Sequence, residues 1–505
     1  MSGKLFRFGR TADVPPSATS GSRLKFAFFC AALTLATGAV LTIGGLAARR
    51  AIRYFRQTGT AVAAESSLGP GEGYIRRFKS HAPRRTTTSL ALAEGIATRP
   101  SSAIAPSGNV AIAQQDWSEF RGPGGQGHSQ ATGLPLHWSQ TENVTWKTPI
   151  PGKGWSSPVT CGDRIFLTAA IDIGQTHELH ALGLDAASGD IEWDATVFDH
   201  LDPALTSLHA KNSYATPTPV VDGDRIYVHF GPHGTACLTL EGETVWKTRE
   251  LRYEPSAGGA GSPVLVNGVL VISCDGTDKQ FVVGLDAATG KVRWKTSRQP
   301  ARDEQRQSFS TPLVIEVGGK KQVVSPGASD VNAYDPDTGA DLWNAYYGGF
   351  STVSRPVFGN GTVYVVAGHP LLMAIHPDGH GDVTKSHVVW TQSRSIPKCP
   401  SPLLVEDSLY LVEDNGIATC LDARTGKPRW MRRIGGTYAA SPLFASGKIY
   451  VLGEEGDTVI FDADPKQYRQ VARNKLGEQC LATPAVIDHA LLIRTRTALY
   501  RIENR

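Results

Sequence analysis

Short runs of apolar, often β-branched residues alternate with polar turns along most of the chain. Residues 262–294, SPVLVNGVLVISCDGTDKQFVVGLDAATGKVRW, contain four such runs: SPVLV, VLVIS, FVVGLD and KVRW. Each has the length and composition of a β-strand. In the turn DAATG the Asp can accept hydrogen bonds from the turn's backbone N–H groups, and the Gly supplies the positive φ of a tight hairpin. The stretch therefore predicts four antiparallel strands.

This unit recurs from about Trp146 to the C-terminus. A Ser/Thr-Pro pair, or its nearest equivalent, marks the start of each copy at Pro158, Pro217, Pro263, Pro312, Pro356, Pro402, Pro442 and Pro484. Tryptophans mark the ends of six copies: Trp193, Trp246, Trp294, Trp343, Trp390 and Trp430. The seventh copy has drifted from this pattern. The eighth stops after three strands, whereas residues 142–148, ENVTWKT, form a fourth strand without a unit.

Four strands per repeat of 40 to 50 residues are typical of β-propeller blades. The sequence therefore predicts an all-β fold, an eight-bladed β-propeller over residues 116–505. We expect the N-terminal strand to pair with the last blade and close the ring, because closure removes an open sheet edge. The tryptophans are predicted to dock between blades, and Asp286, Asp335 and Asp422 to hold turns rather than to act in catalysis.

The N-terminal part has a different composition. Residues 1–115 carry 15 Lys/Arg against 4 Asp/Glu, which leaves 36 against 43 for the remainder. Residues 26–48 contain no charge and would span roughly 35 Å as a helix, enough for a bilayer core of about 30 Å. We predict a basic cytoplasmic tail at residues 1–25, a transmembrane anchor at 26–48 and a flexible linker at 57–115; a cleaved signal peptide is the alternative.

The remaining composition excludes several classes of site. A mildly acidic ring gives no electrostatic reason to expect nucleic-acid binding. The seven cysteines include no CxxC or CxxCH motif, which excludes the commonest zinc, redox and c-type haem signatures, and we expect free thiols. No GxSxG, HExxH or P-loop motif occurs. Residues 376–387, HPDGHGDVTKSH, lack the spacing of a calcium loop and are predicted to be a polar insertion.

The loops that precede the Ser/Thr-Pro pairs are expected to converge on one mouth of the central channel. They would place cationic and aromatic side chains around an anionic or planar ligand or partner. The alternative is that these residues only pack their own loops. The predicted set is Lys153, Trp155, Lys211, Asn212, Tyr214, Arg306, Phe309, Lys398 and Tyr438, with Gln307, Arg355 and Gln479 nearby.

The unit resembles the quinoprotein-type (PQQ-like) repeat in the motifs LDAATGKVRW, AYDPDTGADLW and CLDARTGKPRW. That repeat builds pyrroloquinoline quinone (PQQ) dehydrogenases and BamB-type outer-membrane assembly lipoproteins. The segment DWSEFRGPGGQGHS is similar to the start of a BamB-like group common in planctomycete-type bacteria. Two departures weigh against the enzymes: the chain has no adjacent cysteines, and no calcium-binding Glu and Asn or catalytic Asp can be matched.

With the anchor predicted at residues 26–48, we expect a single-pass membrane protein, and the resemblance implies that its propeller faces the periplasm or exterior. We favour a monomeric, non-enzymatic scaffold for envelope proteins and predict no catalytic residues, metal or cofactor. One alternative is a PQQ-dependent oxidoreductase with calcium, in which the mouth's Lys and Arg would bind the quinone carboxylates. Another is a carbohydrate- or peptide-binding sensor using Trp155, Tyr214, Phe309 and Tyr438.

Overall fold

A computed structural model describes residues 116–205, 207–298, 307–348, 351–368 and 370–505. The predicted tail, transmembrane anchor and linker all lie outside these ranges. The helices in the described part are three-residue 3₁₀ turns at Pro123–Gly125, Pro203–Leu205 and Gly231–His233. None of the helices found there has the length and apolar character needed to cross a bilayer.

Eight four-stranded antiparallel blades confirm the predicted propeller. Blade 1 contains Val159–Cys161, Arg164–Ile173, Thr176–Asp185 and Ile191–Phe198. Blade 2 contains Val220–Asp222, Arg225–His229, Thr235–Thr239 and Thr244–Thr248. Blade 3 contains Val264–Val266, Val269–Asp275, Gln280–Asp286 and Val292–Ser297. Blade 4 contains Leu313–Val317, Lys320–Pro326, Asp330–Tyr334 and Asp341–Tyr346.

The second half of the ring repeats the same order and closes as predicted. Blade 5 contains Val357–Gly359, Thr362–Ala367, Leu371–Ile375 and Val388–Gln392. Blade 6 contains Leu403–Val405, Ser408–Val412, Ile417–Asp422 and Pro428–Arg433. Blade 7 contains Leu443–Ala445, Lys448–Leu452, Asp457–Asp462 and Gln470–Lys475. Blade 8 contains Ala485–Ile487, Ala490–Arg494 and Ala498–Ile502, and Val144–Pro149 pairs antiparallel with its last strand to complete the sheet.

The hydroxyl groups before the prolines link the blades to one another. The backbone N–H of Ser157 donates to Thr218 Oγ1 of the next blade at 3.0 Å. Equivalent bonds join Thr218 to Ser262, Ser262 to Thr311, Arg355 to Ser401, Ser401 to Ser441 and Ser441 to Thr483. In blade 2 the start of the repeat is therefore Pro219, and the sequence-based choice of Pro217 is wrong by two residues. First strands of neighbouring blades lie against one another, so they line the central channel.

The outer ends of the blades are joined by the tryptophans, as predicted. Trp294 Nε1 donates to the Pro336 carbonyl of the next blade at 2.9 Å. The same bond recurs for Trp146, Trp193, Trp246, Trp390 and Trp430. Trp343 departs from the pattern, because its indole donates to Gln322 of its own blade at 2.8 Å.

The Asp-Thr-Gly turns also form as predicted. In blade 3, Asp286 Oδ1 accepts from both the backbone N–H and the hydroxyl of Thr289. Asp335 and Asp422 hold their turns in the same way. These bonds lower the pKa of Asp286, with the Thr289 hydroxyl as the largest cause and Arg293 next. The turn aspartates therefore have a local structural role.

Residues 116–129, called the strap below, cross the channel along the first strands of the blades. The strap exchanges backbone hydrogen bonds with blades 1 and 2 through Thr160 and Val221. Further along, His128–Ser129 pairs in parallel with the first strand of blade 7. The strap glycines leave room for buried side chains, because a Cβ on Gly125 would overlap the Arg355 guanidinium. Gly125 also has a φ of 67°, which L residues rarely adopt.

Candidate functional site

The candidate site is the side of the ring that carries the loops between blades. In an antiparallel four-stranded blade, the loop that enters the first strand and the turn between strands two and three lie at the same end. We call this side the loop face. Two isolated bridges confirm the arrangement, because Lys153 pairs with Ala170 of blade 1 and Tyr438 pairs with Gly453 of blade 7.

Blade 1 extends furthest on this side of the ring. Its second and third strands are ten residues long, whereas those of the other blades have five to seven. Lys153 Nζ lies 3.0 Å from Asp172 Oδ2 of this hairpin, and both side chains are more than half exposed. His177 of the same hairpin contacts the Tyr214 ring, with 4.7 Å between the ring centroids. Tyr214 also packs edge-on against His233, so the hairpin and the blade 2 loop form one unit.

An ion pair spans the loop face between blades 2 and 7. Lys211 Nζ lies 2.6 Å from Glu454 Oε1, and the Glu454 side chain is only 13% exposed. Although burial alone would lower it, the pKa of Lys211 is raised because Glu454 stabilises the ammonium group. Burial, followed by nearby Asp414, raises the pKa of Cys399 in the same cluster to about 12. This thiol is therefore protonated at neutral pH and is a poor nucleophile.

Other predicted site residues also hold the loops. Asn212 Nδ2 donates to the Ala257 carbonyl of the next loop at 2.7 Å, and its Oδ1 accepts the Ser213 N–H. Trp155 and Phe309 are partly buried, and their backbone N–H groups bond neighbouring blades. The Lys398 side chain is exposed.

The structure corrects two placements. Tyr438 is completely buried, so the expectation of an exposed stacking ring at this position is wrong. Arg355 is buried in the channel, where its guanidinium holds the strap, and it does not belong to the mouth. Arg306 lies outside the described residues. Ligand binding by the other predicted residues remains a prediction.

Sequence reasoning missed the acidic side of this face. A cleft of about 510 Å³ lies between blades 7 and 8, lined by Thr437, Glu454, Glu455, Lys475, Gly477, Glu478 and Gln479. The signal was the GEEGD turn between the second and third strands of blade 7. The prediction covered only the loops that precede each blade. The turn between the second and third strands of a blade reaches the same side.

Glu478 fastens the closing strand to blade 8. It accepts hydrogen bonds from Lys147, Thr495, Thr497 and Tyr500 at 2.6–2.9 Å. Burial alone would raise its pKa, but these donors, Lys147 first among them, lower it to about 2. The ionised group is thus more stable in the folded than in the unfolded chain, where a Glu titrates near 4.5.

We predict that Glu478→Gln destabilises the ring by about 2 kcal/mol at pH 7, after allowance for the partial exposure of Lys147. A depressed pKa stabilises the fold above the unfolded value. The difference between wild type and variant should therefore shrink as the pH falls from about 4.5 to about 2. Urea unfolding at pH 7 and pH 3 measures this, and a difference that stays constant with pH would contradict it.

No metal site was expected, and the histidine-containing insertion has a structural position. Residues 376–387 contribute Gly381–Asp382, which pairs in parallel with the outer strand of blade 4. Within the described ranges, no cluster of three His, Cys, Asp or Glu side chains is arranged to hold a metal ion. The six cysteines in these ranges are free thiols.

The sequence matches a family model described as outer membrane protein assembly factor BamB over residues 135–329 and 381–470. An outer membrane protein assembly factor BamB of Yersinia pestis is 24% identical over 204 residues, 36% of this chain and 50% of that relative. One from Moranella endobia is 24% identical over 328 residues, 62% of this chain and 77% of that relative. The chain thus spans half the length of the first of these relatives.

Solved structures with the same ring include both BamB and dehydrogenases. BamB from Moraxella catarrhalis aligns with a TM-score of 0.53 at 13% identity, over 72% of this chain and 98% of that one. A europium-containing methanol dehydrogenase aligns with a TM-score of 0.59 at 11% identity, over 76% of this chain and 90% of that one. Quinohemoprotein alcohol dehydrogenase from Comamonas testosteroni aligns with a TM-score of 0.55 at 11% identity, over 77% of this chain and 80% of that one. At these identities the likeness concerns the fold alone.

Proposed function

This chain belongs to the family described as outer membrane protein assembly factor BamB, and on that premise we propose that its ring is a protein-interaction scaffold. The scaffold would act in the assembly of envelope or outer-membrane proteins. The observation that carries the proposal is the Lys211–Glu454 pair, which ties the loops of blades 2 and 7 together. A surface fixed in this way loses little conformational entropy when a partner binds.

The loop face also offers apolar contacts to a partner. Ile173 at the end of the long blade 1 strand is 36% exposed, and Leu208 in the loop entering blade 2 is 39% exposed. Apolar side chains surrounded by charged and polar groups are typical of protein interfaces. We propose that the partner contacts this part of the loop face.

The proposal includes an extracytoplasmic location, a monomeric ring and attachment through the apolar segment at residues 26–48. The family membership supports an envelope location.

Photo-crosslinking in cells tests the partner surface. We expect a crosslinking amino acid at Ile173 of the full chain to trap an envelope protein. The double substitution Ile173→Asp/Leu208→Asp should reduce binding of that protein about tenfold or more, because it removes apolar contacts and buries charge. The matched control is Val245→Asp/Val292→Asp, which changes two equally exposed valines on outer strands. Equal loss in both variants would contradict a specific role for the loop face.

PQQ binding at the mouth would be a different function, and we propose against it because of how several cations there are used. Lys211 is already neutralised by Glu454, Lys153 pairs with Asp172, and Arg355 points into the channel. Three quinone carboxylates would have to break these pairs. We therefore propose a scaffold that works without a cofactor. Calorimetric titration of the full chain with PQQ, with and without calcium, should show no binding; micromolar binding, about −8 kcal/mol, would overturn the scaffold proposal.

A further inference from the structure

The outer strand of blade 6, Pro428–Arg433, carries an unusual excess of positive charge. With its preceding turn it reads RTGKPRWMRR, without an acidic residue. Arg429 is neutralised by Asp407 and Asp422. The other nearby cations are exposed and take part in none of the ion pairs between described residues: Arg394, Arg424, Lys427, Arg432 and Arg433. They form a basic edge on a ring whose overall balance is acidic.

On three other outer strands a cation next to the sheet edge has an acidic partner, although single lysines such as Lys247 and Lys295 have none among the described residues. In blade 3 Arg293 lies 2.6 Å from Asp286, and in blade 7 Arg473 lies 2.7 Å from Asp457. On the closing strand Lys147 pairs with Glu478. Blade 6 differs in having adjacent arginines, Arg432 and Arg433, without acidic partners on the same outer strand.

The backbone of this strand is open on one side. Pro428–Arg433 pairs with Ile417–Asp422 and is the last strand of its sheet. An edge strand presents alternate unpaired N–H and C=O groups to the outside. Beside them Met431 is 50% exposed, the highest value among the large apolar side chains of the described residues.

The same ring shows that an outer edge can accept another strand. In blade 4 the outer strand Asp341–Tyr346 pairs in parallel with Gly381–Asp382 from the blade 5 insertion. Trp343 lies opposite Gly381, and Asn344 opposite Asp382. The added segment contains a carboxylate, and it covers an edge that would otherwise be open.

We propose that the outer strand of blade 6 binds an extended, acidic segment of another protein by strand addition. Main-chain hydrogen bonds to the open edge supply affinity, and alternate side chains of the added strand reach the cations. Arg432 and Arg433 fall on opposite faces of the strand, because successive residues alternate. An acidic strand can thus be recognised from both faces. This site is separate from the loop face and does not depend on the function proposed for it.

Fluorescence anisotropy with a labelled peptide tests the proposal on the full chain. The probe is a nine-residue peptide of alternating Glu and Val, and the matched probe has proline in place of valine. The first has the strand propensity and charge required, whereas the second keeps the charge but lacks every second N–H donor and is disfavoured in a sheet by its prolines. We expect binding of the Glu-Val peptide, about tenfold weaker binding of the Glu-Pro peptide, and loss of affinity at high salt.

The variant Arg432→Glu/Arg433→Glu should weaken binding of the Glu-Val peptide at least about tenfold, because repulsion replaces attraction. The matched control Lys247→Glu/Lys295→Glu changes two exposed outer-strand lysines and should keep wild-type affinity. Equal binding of both peptides would overturn strand addition. Equal loss in both variants would overturn the assignment to blade 6. The chain could also fail to bind the Glu-Val peptide but bind phosphatidylglycerol vesicles in a manner that depends on Arg432. That result would assign the edge to an anionic membrane and overturn the proposal.

Discussion

Replacing Arg355 with methionine is expected to destabilise the ring by about 3 kcal/mol, because a buried ion pair and its hydrogen bonds lose one partner. The Arg355 guanidinium donates to the Pro312 carbonyl at 3.0 Å and to Glu119 Oε2 at 2.9 Å, and it also bonds the Phe120 carbonyl. Its side chain is 1% exposed and that of Glu119 is 22% exposed. Methionine fills much of the volume but leaves these acceptors unpaired.

In Arg355→Met we also expect the strap to become more accessible to protease. Arg121 is completely buried, with one terminal nitrogen 2.7 Å from the Pro402 carbonyl. Once Arg355 no longer holds the preceding residues, trypsin should cleave after Arg121 faster than in the wild type. Chemical denaturation and limited proteolysis of the full chain measure the two effects.

Arg429→Met is the matched control for this prediction. Arg429 also contacts two carboxylates, Asp407 and Asp422, but on the outer edge of blade 6 and with 21% of its side chain exposed. Because solvent screens this ion pair, Arg429→Met should destabilise the ring by only about 1 kcal/mol. Equal destabilisation by the two substitutions, or an unchanged cleavage rate in Arg355→Met, would show that Arg355 does not anchor the strap.

Trp294→Ala is expected to destabilise the ring by about 4 kcal/mol, because it empties a large buried site between two blades. Trp294 is 7% exposed, and its ring occupies the space that a side chain at Gly339 of blade 4 would need. Neighbouring blades share buried clusters, so the gap would weaken the contact between blades 3 and 4 first. Hydrogen exchange should therefore increase in residues 264–346 before the rest of the ring.

Trp294→Phe separates packing from hydrogen bonding. Phenylalanine keeps most of the ring contact and loses the bond to the Pro336 carbonyl, which should cost about 1 kcal/mol plus a smaller packing loss. A phenylalanine variant as unstable as the alanine variant would mean that the bond, and not the packing, holds the blades together. Uniform exchange over all blades would contradict a local weakening.

Some features of the site are visible in the sequence, but their role in the folded ring is not. The GEEGD turn of blade 7 and the basic run RTGKPRWMRR of blade 6 are both visible there. Their significance depends on which side of the ring a turn reaches and on which neighbours neutralise a charge. Glu454 meets Lys211 although 243 residues separate them.

The sequence alone determined the architecture. Eight repeats, their turn aspartates and their docking tryptophans follow from local patterns, since each strand and turn is specified by residues close to it in the chain. The same holds for ring closure, because a three-stranded last copy and an isolated first strand complete each other. Even the one misplaced repeat start, at Pro217, lies only two residues from the correct position.

Only the tertiary structure decided how the polar residues are used. Lys153 and Lys211 had the spacing of ligand-binding cations, yet folding pairs them with Asp172 and Glu454. Arg355 interrupts the series of hydroxyls before the prolines, and its contact with the strap 236 residues away explains why. Strands and turns form from neighbouring residues, whereas an ion pair forms between groups that closure of the ring brings together. Local sequence therefore specifies the blades, and the closed ring determines which charges remain available for a partner.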